Sequence, residues 1–182
     1  MDYSSYLKQY NKSIYELINN VNANLIEQSV QLIQRSIHNK SKVYIVGNGG
    51  SASIASHVSV DFVKVARVPS STFNNSNLIT CFANDYGYEN WVVEAIKAYT
   101  NINDLIILIS SSGTSKNIVN AAQYCKDNNI DLITLSGFTK DNPLSTLGNV
   151  NFHIESTEYN YIEMSHHTIL LALVDIFAKK LY

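Results

Sequence analysis

Residues 105–109 read LIILI, five aliphatic side chains in succession. A strand with one wet face alternates apolar and polar residues, so an unbroken run has to be covered on both sides, as in parallel sheets flanked by helices. Residues 43–46 and 132–135 are further short, largely apolar runs, and 150–154 also reads as a strand. Helical spacing follows them at 51–64, 117–128 and 159–180. The alternation predicts an α/β fold: a three-layer α/β/α sandwich with a parallel sheet and a long C-terminal helix. Residues 66–83 are ambiguous, and FNNSNLITCF fits a strand end followed by a short helix capped by Ser76.

Ahead of the first strand, residues 3–38 carry apolar side chains at a nearly helical period, predicting one long helix or two broken near residues 22–24. Such a helix cannot bury its whole stripe on a small sheet. Residues 1–40 are therefore expected to serve oligomer packing, in a homotetramer or homodimer, and 41–182 to form the sheet core of a single domain. The 182 residues suffice for one domain of this kind. A net charge of −2 gives no basic footprint for nucleic acid. The N-terminus lacks a signal-peptide pattern and no apolar run reaches membrane-span length, so no membrane partner and a cytoplasmic location are expected. Cys81 and Cys125 read as small buried hydrophobes rather than a disulfide or a metal pair. The 12 tyrosines support no functional reading.

Two corners carry the chemistry. The first strand runs into Gly47-Asn48-Gly49-Gly50-Ser51 and directly into a helix. Glycines admit a sharp turn and close approach of a ligand, and a helix N-terminus offers free N–H groups and positive dipole. The spacing is not GxGxxG and no Walker lysine follows, which disfavours a dinucleotide or ATP. The strand at 105–109 runs into Ser110-Ser111-Ser112-Gly113-Thr114-Ser115 and another helix. Hydroxyls around a helix N-terminus hold phosphate oxygens without a strong cation. In an open parallel sheet both corners lie at strand carboxyl ends and can face one crevice.

GNGGS, then Ala83-Asn84-Asp85-Tyr86-Gly87-Tyr88, then SSSGTS, in this order, resemble the sugar isomerase (SIS) family, and in particular its sedoheptulose-7-phosphate isomerases. The resemblance spans nearly the whole chain and implies a single SIS domain. It implies that Ser110, Ser111, Ser112 and Ser115 hold a sugar phosphate, that Asn48, Gly49, Gly50 and Ser51 line the substrate, and that Asn84 and Asp85 contact its hydroxyls.

His57 and Asp61 are four residues apart on one helix face and can share a cation. Glu163, His166 and His167 form a second ionisable cluster suited to proton transfer. The resemblance implies zinc (Zn2+) at His57, Asp61 and Glu163, where the family has His, Glu and Gln. The family's second C-terminal histidine, a zinc ligand and acid/base, falls on Leu171, and its preceding Asp falls on Asn160. The implied function is phosphosugar aldose-ketose isomerisation, sedoheptulose 7-phosphate to D-glycero-D-manno-heptose 7-phosphate. Asp61 or Glu163 is the expected base, and His166 or His167 the acid. The competing expectation is a non-catalytic phosphosugar- or protein-binding module, motivated by Leu171.

Overall fold

The computed structural model describes residues 2–182. Five parallel strands form one sheet: β1 Val43–Gly47, β2 Ser70–Thr72, β3 Leu105–Ile109, β4 Asp131–Ser136 and β5 Val150–His153, in the order β2-β1-β3-β4-β5. The helices are α1 Tyr3–Asn19, α2 Ala23–His38, α3 Gly50–Asp61, α4 Ser76–Tyr86, α5 Trp91–Tyr99, α6 Lys116–Asp127 and α7 Tyr159–Ala178. A π-helical turn, Phe62–Ala66, extends α3, and a 3-10 turn, Pro143–Thr146, precedes β5.

Each central strand sends alternate side chains to opposite layers. Val43, Ile45, Leu105, Ile107 and Ile109 join a core with α2, α3 and α7. Tyr44, Val46, Ile106 and Leu108 join a second core with α5 and α6. All five residues of LIILI are fully buried, so the apolar run is explained by coverage of both faces.

The N-terminal segment is two helices. Asn22 breaks it because its side chain accepts from the Asn24 amide at 3.0 Å, capping α2. Asn75, not Ser76, caps α4, accepting from the Asn77 amide. Helix α5 was not legible in the sequence. It is short, yet it buries Trp91, Val92, Ala95 and Ile96. Cys81 is exposed, correcting the expectation that both cysteines are buried. Burial does hold for Cys125 and pushes its thiol up to about 12. Among the described residues no helix is long and apolar enough to cross a membrane.

Candidate functional site

The chain moves outward from β1 to β2 and then crosses to β3 on the other side of β1. The carboxyl ends of β1 and β3 therefore flank the point where the sheet order reverses, which is where α/β sheets open a ligand crevice. Gly47 and Ile109, the last residues of these strands, are register partners. The glycine corner and the serine corner consequently start side by side.

In the first corner Gly49 adopts φ +52° and ψ −121°, a backbone region closed to residues with a Cβ. That turn delivers α3 at Gly50 with no side-chain cap, leaving its first amides free for a ligand. In the second corner the Ser112 hydroxyl accepts from the Thr114 amide at 3.3 Å, and the Gly113 amide donates to the Ser110 carbonyl at 2.9 Å. Ser115 is the N-cap of α6, but its Oγ accepts from the Ser110 hydroxyl at 3.1 Å rather than from the helix amides. Two uncapped helix N-termini thus open on one cavity of about 240 Å³.

Asn48, Gly49, Gly50, Ser51, Ile109, Ser110, Ser111, Ser112 and Ser115 line that cavity, and α7 adds Tyr159 and Glu163. No lysine or arginine is among the lining residues, so an anion there would be held by amide dipoles and hydroxyls. The Glu163 carboxylate lies against Gly50, in the space a Cβ there would need. It has no ion-pair partner among the described residues. A larger cavity of about 410 Å³, bordered by Leu17, Lys140, His153 and Glu155, holds none of the motif residues.

Farther along the seam between α3 and α7, His57 Nε2 lies 3.2 Å from Asp61 Oδ2, and His57 Nδ1 lies 2.9 Å from His167 Nε2. The rings meet edge to face. With both rings neutral, Asp61 accepts from His57 Nε2–H, His57 Nδ1 accepts from His167 Nε2–H, and His167 Nδ1 keeps a lone pair. Burial, followed by the neighbouring His57, holds the His167 pKa below the ordinary histidine value, and Asp61 partly opposes this.

His57, Asp61 and Glu163, the zinc set that the resemblance implies, are not gathered at one point within this chain. His57 has both ring nitrogens on protein partners. Glu163 is at Gly50, and Leu171 packs against the first core and offers no lone pair. Among the described residues no group of three or more His, Cys, Asp or Glu is placed to hold a metal ion.

His166, an expected acid, does not line the cavity. It is fully buried, its Nε2 3.0 Å from the Ser136 carbonyl, and burial lowers its pKa to about 4. It is a neutral core histidine that donates to the end of β4. Asn84 and Asp85 lie on the exposed last turn of α4, bonded to each other at 2.9 Å, and do not line the cavity within this chain. Asn160 is exposed on the first turn of α7.

Three residues have contacts in the site that the sequence reading missed, although Tyr88 stands within the Ala83–Tyr88 motif. Tyr159 walls the cavity and stacks edge-on against Phe138, their centroids 4.9 Å apart. Asn117 and Tyr88 both bond the Asn48 side chain. A polar Asn at the start of an otherwise apolar helix face was the available signal for Asn117.

A family model described as the SIS domain matches residues 5–137. The chain belongs to the SIS-domain family. Phosphoheptose isomerase of Helicobacter pylori strain P12 is 33% identical over 159 residues, covering 83% of this chain and 81% of that relative. Phosphoheptose isomerase structures from Neisseria gonorrhoeae and Francisella tularensis each superpose with a TM-score of 0.85. Their identities are 19% and 24%; the matches cover 97% of this chain and 99% and 96% of theirs, respectively. The SIS fold accounts for the parallel sheet, both cores and the paired corners.

Proposed function

We propose that this SIS-domain chain is a phosphosugar aldose-ketose isomerase that interconverts sedoheptulose 7-phosphate and D-glycero-D-manno-heptose 7-phosphate, supplying heptose for surface polysaccharide. The observation that carries the reading is a single cavity in which two helix N-termini and five serines face the Glu163 carboxylate. The first group suits a phosphoryl anion and the second suits proton abstraction next to a carbonyl. The relatives named phosphoheptose isomerase support a seven-carbon substrate.

With the phosphate held by Ser110, Ser111, Ser112 and Ser115, Glu163 takes a proton from C1 of the ketose. The electron pair of that C–H bond becomes the C1–C2 double bond while the C2 carbonyl oxygen gains a proton, giving an enediol. Return of a proton to C2 and loss of the O1 proton leave the aldose carbonyl at C1. Glu163 serves the carbon atoms, because Asp61 is bonded to His57. The oxygen protons pass through His167, one helical turn along α7 from Glu163 and bonded to His57, whose other ring nitrogen is held by Asp61.

The chain acts as a cytoplasmic homotetramer or homodimer. Helix α1 supports assembly, since it buries none of its residues and leaves Tyr3, Tyr6, Leu7 and Tyr15 exposed. Incubating the purified chain with sedoheptulose 7-phosphate, with and without zinc, and following the aldose by NMR tests the activity. Formation of the heptose 7-phosphate is expected; a sugar phosphate that raises the melting temperature without turnover would overturn the enzyme in favour of a binding module. Light scattering checks the assembly.

A further inference from the structure

Asn48 is the hub of a polar network that joins all three sequence motifs. Its Oδ1 accepts from Asn117 Nδ2 at 2.9 Å and from the Tyr88 hydroxyl at 3.1 Å. Its Nδ2 donates to Asn117 Oδ1 at 2.9 Å. Asn48 belongs to the glycine corner, Asn117 to the first turn of α6 behind the serine corner, and Tyr88 to the segment that follows α4. Asn117 is only 2% exposed, so its partner is effectively dictated by the fold.

The arithmetic of donors and acceptors gives this network a direction. A primary amide has two N–H donors and an oxygen with two lone pairs. Both lone pairs of Asn48 are engaged, and one N–H is paired with Asn117. What Asn48 retains for the cavity it lines is its second N–H, a donor, which is the correct sign for a phosphoryl or sugar oxygen. Without those partners the amide is free to turn its oxygen toward an anion. The same paired amides bridge the two corners directly, so the spacing between the two helix N-termini depends on them.

We propose that Tyr88 and Asn117 are positioning residues that act through Asn48, fixing the separation of the two phosphate-gripping corners and presenting Asn48 to the substrate as a hydrogen-bond donor. This rests on the isomerase reading for the identity of the ligand. Neither residue touches the reacting atoms, so their contribution belongs in binding rather than in the chemical step.

The test is a mutant cycle on the full chain with sedoheptulose 7-phosphate. Tyr88→Phe removes only the hydroxyl and is expected to raise KM about 3- to 10-fold, the range for one lost hydrogen bond, with kcat within about 2-fold and an unchanged melting temperature. In an Asn48→Ala background, Tyr88→Phe should add nothing, since its route to the substrate is gone. Asn117→Ala should repeat the KM effect. A Tyr88→Phe chain indistinguishable from its parent, or effects that multiply in the double variant, overturns the proposal. A parent chain that neither binds nor converts the sugar instead overturns the isomerase reading. The network itself is then read by NMR, where slow exchange of the Asn48 side-chain amide protons should be lost in Tyr88→Phe, and its retention overturns the coupling.

Discussion

The carboxylate of Glu163, on α7, occupies the space in which a side chain at Gly50, on α3, would have to begin. Gly50→Ala should therefore displace the carboxylate, which is the movable end of its side chain, while leaving the helix intact. A misplacement of about 1 Å costs on the order of 100-fold in rate, so kcat should fall by about that factor. Stability should hold or rise by up to ~1 kcal/mol, because Ala is the better helix former. Gly49→Ala makes the contrast. It faces open space but sits at positive φ, and should lose about 1–3 kcal/mol in urea unfolding.

Replacing the carboxylate alone asks what it does. Glu163→Gln keeps the shape and removes the base, and kcat should drop about 10²- to 10⁴-fold. KM should stay the same or fall, since the change removes a negative charge from the cavity that receives the phosphate. Exchange of the C1 proton with deuterated solvent, followed by NMR, should slow in parallel. A variant with near-parental kcat would remove Glu163 from the chemistry.

Ser115 separates binding from folding. As the N-cap of α6 with no side-chain bond to the first turn, it is a position where Asp improves the helix. Ser115→Asp should leave the melting temperature unchanged or higher. It should also abolish protection by sedoheptulose 7-phosphate in thermal-shift measurements, because the new carboxylate takes the amides that an anion would use. Retained protection would show that the phosphate does not sit at this corner.

The corners were legible in the sequence because each needs unusual residues at a strand-to-helix junction: Gly49 for its backbone angles, and a run of serines for hydroxyls without lysine. The central strands β1, β3 and β4 were legible because burial on two faces leaves nearly unbroken apolar runs, whereas the edge strand β2, Ser70–Thr72, has no such run. The division of labour on α7 was not. His166 and His167 are neighbours, and a helix turns by about 100° between them, so one faces the Ser136 carbonyl and the other His57. Ser165 and Thr168 flank the pair in the sequence, and only the three-dimensional packing says which histidine is core. Tyr88 and Asn117 were hidden for a similar reason. Their common partner, Asn48, is 40 and 69 residues away.

The buried histidine carries its own pH signature. His166 is neutral in the folded chain down to about pH 4, because burial penalises its charged form. In the unfolded chain it takes a proton near the ordinary value of about 6.5. Between these two values the unfolded state binds the extra proton, so this residue's contribution is complete above about pH 6.5 and declines as the pH falls toward 4. The loss should reach about 3 kcal/mol, from a shift of roughly two to three units at 1.36 kcal/mol each. Urea unfolding at intervals from pH 7.5 to 4 should show this decline, and His166→Gln should flatten it while lowering stability at pH 7. NMR of the imidazole protons supplies the direct reading: a His166 that titrates near 6.5 would mean that water reaches the ring and that the α7 packing described above is wrong.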